Sequence, residues 1–557
     1  MGRKPQHPRR PLRAIDLFCG AGGLTEGFRR AGYEITFALD RDRDSCATYR
    51  LNNPDVPLEE APITTLTPAE IADRAGGDID VVIGGPSCQG FSTAGRRNGW
   101  VRPDDDRNKL WSHMLGLVEH LRPGAFLMEN VPGLVYWRDG HMGRTILDRF
   151  EQLGYKVTMD ILLAADFGVP QRRRRLFIVG LLQDAPFQMP SATHMGGWRR
   201  DTLSLWEQRR REEGLLRHLS VWDAIGDLPA IEAGKAGTVY PDVRLTPFAR
   251  MMRAGAEALR DHEAPYLSED HRLLIEHVPQ GGTWRDIPPH LLPHRFRGMR
   301  RTDGSNLLGR LDPKLPAYTI TTQFNNITGG CFTHPYQDRA LSIREGARLQ
   351  TFPDTYEFVG TITSRRRQIG NAVPPILAQV MARQLAVALL GAAADEFHPE
   401  PEPLRPATQL PPPPPTDRRT LARMQRQPRK NTEPEVLLRK HLRGQGLRYQ
   451  LDKKPVPSLR RRADLVFKKA QVAVFVDGCF WHGCPEHARP TKSHTKWWAD
   501  KIEANRIRDE ETNRLLAAAG WTVVRVWEHE YPAEAANRIV QTVREVTVSR
   551  RSSPPTR

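Results

Sequence analysis

The sequence predicts an α/β protein with an open, mostly parallel sheet and, beyond a proline-rich segment, a second and smaller α/β unit. Two short apolar segments, Arg13–Phe18 and Val81–Ile83, are typical of buried strands that end at glycines. Residues 399–415 are dominated by proline, which favours an extended spacer between the two units. The 557 residues suit about three to four domains of ordinary size.

Composition indicates the kind of partner and compartment. The net charge of +17 favours a polyanionic partner, with nucleic acid ahead of a membrane surface. Six scattered cysteines are too few for a disulfide framework, which predicts a reducing compartment. The basic tail, residues 1–12, lacks the apolar core of a signal peptide, and no apolar run approaches about 18 residues. We therefore expect a cytoplasmic protein that makes no membrane contact.

The first strand leads into a candidate cofactor site. It is followed by Cys19-Gly-Ala-Gly-Gly23 and a helix to about Ala31. Glycines allow close backbone approach, and the free N–H groups of the helix N-terminus face the ligand. The next strand, Glu34–Leu39, ends in Asp40, where an acid would accept hydrogen bonds from ribose hydroxyls. This pattern predicts a Rossmann-like site, although a dinucleotide oxidoreductase would share it.

A loop after the strand Val81–Ile83 presents Cys88. The loop runs from Gly84 to Ser92, just past the strand's carboxyl end, where open α/β sheets bind ligands. An arbitrary cysteine is more often a buried small hydrophobe. A Pro-Ser-Cys-Gln-Gly loop, however, offers little apolar surface to bury a thiol, which favours a nucleophile.

Two further strand ends carry charged side chains. The strand Ala125–Met128 delivers Glu129, and a later strand follows the run Gln171-Arg-Arg-Arg-Arg175. A lone glutamate at a strand end is usually a surface charge. A carboxylate from one strand end and arginines from another could instead converge beside Cys88.

Taken in order, the motifs of residues 13 to about 390 resemble those of a DNA (cytosine-5) methyltransferase. They are Asp16-Leu-Phe-Cys-Gly-Ala-Gly-Gly23, Gly84-Gly-Pro-Ser-Cys-Gln-Gly-Phe-Ser92, Glu129-Asn-Val131, Gln171-Arg-Arg-Arg-Arg175, Arg344-Glu-Gly-Ala-Arg-Leu-Gln350 and Gln368-Ile-Gly-Asn-Ala-Val-Pro374. The resemblance implies a Rossmann-like S-adenosylmethionine-dependent catalytic domain over residues 13–185 and 334–392. The Arg- and Trp-rich residues 186–333 would be the target-recognition region, and they do not reveal which DNA site is read.

The resemblance also implies a chemistry. Carbon 5 of cytosine is a poor nucleophile until a thiolate adds to carbon 6, and an acid near ring nitrogen 3 stabilises the charge that develops. Cys88 would be the nucleophile and Glu129 the acid, with Arg173 orienting the base and Arg175 supporting the loop. The base must first be flipped out of double-stranded DNA.

The implied cofactor pocket has one unassigned contact. Phe18 would pack on the adenine and Asp40 would hold the ribose, and the remaining cofactor-binding positions would be Gly20, Gly22, Leu110 and Asn371. Ser87 stands where the family often has proline. The acid that usually contacts the adenine amino group should fall near Pro62-Ile63, where proline stands instead. Glu59 or Glu60 could substitute for it.

The second unit begins after the linker, residues 393–417. A helix is predicted to start at Thr432-Glu-Pro-Glu435, followed by paired strands 462–466 and 471–477, a helix 496–519 and a strand 521–527. Cys479, Cys484, His487 and His529 could supply the four ligands of a closed tetrahedral zinc site. Either cysteine alone would be structural packing.

A hydrolytic set is also present in this unit. Asp464 on a strand could bind Mg²⁺, with Glu435 on the preceding helix and His482 as general base or acid. Residues from about 418 to 530, in a domain expected over 418–545, resemble a very-short-patch repair endonuclease, through Asn431-Thr-Glu-Pro-Glu435, Arg462-Ala-Asp464 and Asp477-Gly-Cys-Phe-Trp-His482. The resemblance implies a restriction-endonuclease-like fold.

That second resemblance implies further roles. Asp464 and the backbone carbonyl of Val476 would hold Mg²⁺, and Met424, Phe480 and Trp481 would wedge between base pairs at a mismatch. Some relatives have a third cysteine where this chain has His529. Residues 546–557 are expected to be a basic tail.

The two halves make chemical sense together, because deamination of 5-methylcytosine leaves thymine opposite guanine. Three hypotheses stay open: one chain with both activities, a methyltransferase with a zinc-stabilised DNA-binding clamp, or a fusion whose nuclease cuts unmethylated sites. The sequence does not fix the oligomeric state, and a monomer is plausible.

Overall fold

A computed structural model of the chain describes residues 10–86, 109–136, 141–183, 186–197, 203–299, 304, 306–391, 433–456, 459, 461–479, 484 and 495–552. Six residues with predicted roles lie outside these ranges: Cys88, Met424, Phe480, Trp481, His482 and His487. The chain divides into two compact units, Met1–Thr416 and Asp417–Arg557.

A seven-stranded sheet forms the centre of the first unit. Its strands are β1 (Arg13–Leu17), β2 (Glu34–Asp40), β3 (Leu58–Glu60), β4 (Val81–Gly84), β5 (Ala125–Asn130), β6 (Lys156–Leu163) and β7 (Arg174–Leu181). They lie in the order β3-β2-β1-β4-β5-β7-β6. Strand β7 is antiparallel to both of its neighbours, whereas β1 to β5 pair in parallel. The strand order reverses between β1 and β4, so their carboxyl ends form the crevice at which such sheets bind ligands.

Helices cover the sheet because its strands are apolar on both faces. They are α1 (Gly23–Arg30), α2 (Arg43–Asn52), α3 (Pro68–Ala75), α4 (Trp111–Leu121) and α5 (His141–Gln152). In β4, Val81, Val82 and Ile83 are all fully buried. The predicted strands and the helix after the glycine turn are confirmed, although β5 continues through Glu129 to Asn130.

The recognition region consists of short elements. They are β8 (His194–Met195), α6 (Leu203–Glu212), β9 (Leu216–Arg217), α7 (Val221–Ile225), α8 (Pro247–Arg253), α9 (Glu269–Glu276), α10 (His294–Arg297), β10 (Gly309–Arg310) and β11 (Cys331–Thr333). A separate apolar cluster around Ile275, Trp284 and Leu308 forms its core. The hydrophobic periodicity of this region is weak because its helices and strands are too short to show a repeat.

The chain then returns to the sheet through three helices. They are α11 (Ile343–Leu349), α12 (Ile362–Asn371) and α13 (Pro375–Leu390). Helix α13 packs closely on α1, since a Cβ at Gly27 would lie 2.4 Å from the Cβ of Ala378. Residues 362–390 are, in the described part of the chain, the one helical stretch long and apolar enough to cross a membrane. They form two helices, and 56% of their most apolar 18-residue segment is buried, as is usual for helices in a protein core.

A four-stranded sheet forms the second unit. Its elements are α14 (Glu433–Gly444), β12 (Gln450–Lys453), β13 (Ala463–Phe467), β14 (Val472–Asp477), α15 (Thr495–Ala518), β15 (Thr522–Trp527) and α16 (Pro532–Ser552). The strands lie in sequence order, antiparallel up to β14 and then parallel between β14 and β15. The predicted strand pair β13–β14 is confirmed.

Helix α16 corrects one expectation. Residues 546–552, expected to belong to a basic tail, are the last turns of this helix. Its apolar residues Ala535, Ala536, Ile539 and Val540 are buried in the core of the second unit. Burial of that face stabilises the helix through to its basic end.

Candidate active sites

The glycine turn after β1 is built around Asp40. The Gly20 N–H donates to Asp40 Oδ2 at 2.8 Å, so the carboxylate at the end of β2 is fixed beside the turn. Burial raises the pKa of Asp40, partly offset by its backbone hydrogen bonds. Gly20 has a φ of +53°, and a Cβ there would meet no described atom within 4 Å. The turn therefore leaves room for a ligand beside Asp40.

Partly exposed apolar side chains adjoin this turn. Phe18, in the left-handed region at a φ of +59°, packs with Leu110 on the apolar core cluster of the sheet. Asn371 is exposed at the end of α12. The next residues approach the turn closely, because a Cβ on Gly23 would lie 2.3 Å from the Val373 carbonyl oxygen. Asp40, the glycine turn and the segment that follows Asn371 thus lie together at the carboxyl ends of β1 and β2.

Asp16 is a buried carboxyl beneath the turn. It is fully buried, and its Oδ2 accepts a hydrogen bond from Thr25 Oγ1 at 2.7 Å. Its Oδ1 has no hydrogen-bond partner within the described residues. Burial raises the pKa of Asp16 to about 7.

This pKa predicts a pH-dependent stability. The unfolded carboxyl ionises near pH 4, whereas the folded one keeps its proton up to about pH 7. The contribution of Asp16 to stability is therefore largest below pH 4 and falls, by up to about 4 kcal/mol, as pH rises to 7. Asp16→Asn should remove most of this fall, so its gain in melting temperature should be larger at pH 8 than at pH 5. Calorimetry at both pH values checks this, and an equal shift at both would contradict it.

The carboxylate of Glu129 lies at the start of the Cys88 loop. Glu129 Oε1 pairs with Arg175 Nε at 2.6 Å, and both side chains are almost buried. A Cβ on Gly85 would lie 3.3 Å from Glu129 Oε2. The Asn130 amide donates to the Pro86 carbonyl at 3.4 Å. The predicted acid is therefore held where the chain enters the Cys88 loop, and Cys88 itself is outside the described residues.

The two predicted arginines make different contacts. Arg175, expected to support the loop, pairs with the acid. Arg173, expected to orient the base, is fully buried, and its guanidinium donates to the carbonyls of Ile320, Gly370 and Ala372 at 2.9–3.0 Å. The predicted role of Arg173 in orienting the base stays a prediction, and through these carbonyls its side chain holds the segment that carries Asn371.

Two buried arginines of α11 were not predicted to have a role. Arg348 pairs with Asp227 and, at 2.6 Å, with Asp354, while Arg344 pairs with Asp261 at 3.3 Å. Burial lowers the pKa of Arg348, but the two carboxylates outweigh it and raise the pKa above its ordinary value. Asp227 and Asp261 belong to the recognition region, so these pairs anchor that region to the catalytic domain. The motif that contains Arg344 and Arg348 does not predict these ion pairs, because the partners lie more than 80 residues away in the sequence.

In the second unit, Asp464 lies between neighbouring strands. Its Oδ2 accepts the Val476 N–H at 2.8 Å, which places the two predicted Mg²⁺ ligands side by side. Burial raises the pKa of Asp464 to about 6, and the charges of Glu435 and Asp477 add to this. Glu435 on α14 is therefore within electrostatic reach of Asp464.

An ion-pair cluster beside this site was missed. Asp477, at the end of β14, accepts two hydrogen bonds from Arg525, both at 2.7 Å. Arg525 also pairs with Asp509 at 3.0 Å. These contacts join β14, β15 and α15, and they fix the strand end that follows Val476.

Three of the four predicted zinc ligands lie together. His529 Nδ1 is 3.0 Å from Cys479 Sγ and 3.6 Å from Cys484 Sγ, and all three donor atoms lie within 4.8 Å of one another. Donors on a tetrahedral zinc at its usual bond lengths are separated by roughly 3.5 Å. The described donors therefore fit zinc, and His487 lies outside the described residues.

Two family models match the chain. The model for C-5 cytosine-specific DNA methylase matches residues 12–386. The model for DNA mismatch endonuclease Vsr matches residues 415–487.

Relatives and solved structures match the first part. Type II methyltransferase M.AgeI of Thalassovita gelatinovora is 35% identical over 433 residues, covering 68% of this chain and 100% of the relative. M.DdeI of Desulfomicrobium norvegicum is 34% identical over 398 residues, covering 67% and 88%. A solved E. coli protein, described as a DNA modification methyltransferase encoded in a prophage, matches with a TM-score of 0.52 at 25% identity, over 68% of this chain and 99% of that one.

Proposed function

Because the chain belongs to the C-5 cytosine-specific DNA methylase family and carries a Vsr mismatch endonuclease domain at its C-terminus, we propose that it both methylates cytosine and nicks the mismatch that the product generates. The methyl acceptor is carbon 5 of a cytosine flipped out of duplex DNA. The observation that carries this proposal is the Glu129–Arg175 pair, held against Gly85 and Pro86 at the entrance to the Cys88 loop.

The reaction follows from these groups. The Cys88 thiolate adds to carbon 6, while Glu129 stabilises the charge at ring nitrogen 3 and Arg175 holds the Glu129 carboxyl in place. Carbon 5 becomes nucleophilic and accepts the methyl group. Loss of the carbon 5 proton to solvent and cleavage of the sulfur–carbon 6 bond restore the ring and free Cys88.

The cofactor edge supports S-adenosylmethionine, which supplies an activated methyl group when bound. Asp40 would accept hydrogen bonds from the ribose hydroxyls, as its place beside Gly20 allows. Phe18 and Leu110 would contact the adenine. Arg173 would act as a positioning residue for Asn371 through the Gly370 and Ala372 carbonyls.

Replacing Glu129 by glutamine should slow methyl transfer by about 10²–10⁴-fold, because the amide cannot donate a proton to nitrogen 3. Binding of S-adenosylhomocysteine should be unchanged. Single-turnover transfer of labelled methyl to DNA measures the rate, and Glu34→Gln on the opposite edge of the sheet is the control. Transfer by the Glu129 variant at the control's rate would overturn the assignment.

Bisulfite sequencing of DNA from cells expressing the chain tests the proposal as a whole. Protected cytosines should recur in one sequence context, and they should be absent with Glu129→Gln. Protection scattered without a shared context would contradict a site-specific enzyme.

For the second unit, we propose a nickase that acts beside the thymine of a thymine–guanine mispair. Asp464 and the Val476 carbonyl would hold Mg²⁺, which neutralises phosphate charge and activates water. Glu435 and His482 would assist, the latter as general base or acid. The placement of Asp464 against Val476, with Glu435 in reach, supports this set. Met424, Phe480 and Trp481 would wedge into the weakly stacked pair.

We propose one structural zinc in this unit, bound by Cys479, Cys484, His487 and His529. Elemental analysis of the intact chain should find about one zinc, and Cys484→Ser should lose it. Because metal binding stabilises the folded state, chelation should lower the melting temperature of the second unit and leave that of the first unchanged. A zinc-free chain with the same second transition would contradict the structural role.

A further inference from the structure

The glycine turn between β1 and α1 has an unusual backbone conformation. Phe18, Gly20 and Gly22 all lie in the left-handed region, at φ values of +59°, +53° and +86°. A non-glycine residue such as Phe18 persists in this region only when the surrounding structure holds it there. The contacts to this turn therefore decide whether it keeps the shape in which the cofactor is proposed to bind.

One of these contacts comes from a distant part of the chain. The Tyr356 hydroxyl donates to the Ala21 carbonyl at 2.5 Å, across 335 residues of sequence. Gly22 leaves room for this hydroxyl, because a Cβ there would lie 2.5 Å from Tyr356 Oη. The Gly22 N–H donates to the Cys19 carbonyl at 2.9 Å. Both ends of the Ala21–Gly22 peptide are thus engaged, which fixes its orientation at the start of α1.

The Tyr356 side chain is itself well fixed. It is buried, and its ring contacts those of Phe352 and Phe358, with centroids 4.9 and 5.6 Å away. Burial raises the pKa of Tyr356 well above its ordinary value, so the hydroxyl stays protonated and donates. Tyr356→Phe would keep these ring contacts and remove only the hydrogen bond to the turn.

The loop that carries Tyr356 is held by the recognition region. Arg344, in α11, donates to the Pro353 and Tyr356 carbonyls at 2.9 and 2.8 Å. Asp261, within the recognition region, pairs with Arg344 and also accepts the Phe358 N–H at 3.2 Å. A chain of hydrogen bonds therefore connects Asp261, through Arg344 and Tyr356, to the glycine turn.

From this geometry, and resting on the proposed binding of S-adenosylmethionine, we propose that Tyr356 is a positioning residue for the cofactor. Its hydroxyl holds the Ala21–Gly22 peptide, and with it the N-terminus of α1, in the orientation that the cofactor requires. Because the recognition region holds the loop of Tyr356, the packing of that region also affects the affinity for the cofactor. A hydrogen bond with a purely structural role would stabilise the fold and leave that affinity unchanged.

Calorimetric titration of the intact chain with S-adenosylhomocysteine tests the proposal on Tyr356→Phe. We expect binding to weaken about tenfold, because a hydrogen bond to a buried carbonyl is lost where the turn must keep its shape. In methyl transfer, KM for S-adenosylmethionine should rise by a similar factor while kcat changes by less than about threefold, since neither Cys88 nor Glu129 is altered. Binding within about twofold of wild type would overturn the proposal. Failure of the wild-type chain to bind would instead refute the proposed cofactor, so the two failures are distinguishable.

Tyr33→Phe is the matched control. The Tyr33 hydroxyl is also buried and donates to the Ala382 carbonyl at 2.9 Å, beyond the other end of α1. Both variants should lower the melting temperature of the first unit, but only Tyr356→Phe should weaken cofactor binding. Equal weakening in the two variants would reduce Tyr356 to a structural contact and overturn the proposal.

Asp261→Asn tests the link to the recognition region. The amide weakens the ion pair with Arg344 at an unchanged side-chain length, so cofactor binding should weaken by at least about threefold in the wild-type chain. Added to Tyr356→Phe, the same substitution should have little further effect, because the two changes interrupt one path. Equal weakening by Asp261→Asn in both backgrounds would show that the recognition region does not act through Tyr356. If Tyr356→Phe does not fold, unchanged cofactor binding by Asp261→Asn overturns the proposal on its own.

Discussion

Replacing Cys88 by serine should abolish methyl transfer to DNA while binding of S-adenosylhomocysteine persists. Loss of a covalent nucleophile costs on the order of 10⁴–10⁶ in rate, because a hydroxyl is far less ionised than a thiol at neutral pH and is a weaker nucleophile. The hydrogen bond from the Gly20 N–H to Asp40 fixes the cofactor edge through residues outside the Cys88 loop. Binding and chemistry should therefore separate.

The control is Cys484→Ser, which removes a thiol from the second unit and should leave methyl transfer at the wild-type rate. Labelled methyl transfer under single-turnover conditions measures both variants, and calorimetry measures their cofactor affinity. Transfer by the Cys88 variant within tenfold of wild type would refute the assignment. A parallel loss of cofactor binding would instead indicate that the loop is needed for the fold of the pocket.

The sequence predicts the catalytic domain well because its motifs coincide with strand ends. The Rossmann-like fold class is confirmed by the parallel strands β1 to β5 and by the relatives. Apolar runs locate the strands, and glycines or charged residues mark where they stop. The sequence does not show which partner each arginine of a run will meet. Arg173 and Arg175 belong to one run, and the antiparallel register of β5 with β7 brings Arg175 to Glu129.

Long-range ion pairs could not be predicted from the sequence for a related reason. Arg348 joins Asp227 across 121 residues, and Arg525 joins Asp477 across 48. Each arginine alone resembles a surface charge, since burial depends on tertiary packing that no local pattern encodes. Helix α16 was overlooked similarly, because its buried stripe of alanine and valine is weakly apolar and ends in basic residues.

Replacing Asp464 by alanine should abolish nicking by the second unit and leave methyl transfer intact. The carboxylate lies against Val476, and loss of a metal ligand removes several kcal/mol of charge stabilisation, on the order of 10³-fold in rate. Glu545→Gln is the control, because Glu545 is exposed on α16, where it accepts a hydrogen bond from Gln541. Loss of both activities in Asp464→Ala would indicate misfolding rather than a separate site.

The substrate of this nuclease is decided by duplexes that differ at one pair within the methylated context: cytosine–guanine, 5-methylcytosine–guanine or thymine–guanine. We expect a nick beside the thymine of the third duplex and at least about tenfold slower cutting of the other two, because unstacking costs least at a mispair. Cutting of the unmethylated duplex alone would identify a restriction nuclease. Binding of the duplexes without any cutting would identify a DNA-binding clamp. Selective nicking requires both a weakly stacked pair and a competent Asp464, so the control variant must nick the mispair while Asp464→Ala binds it uncut.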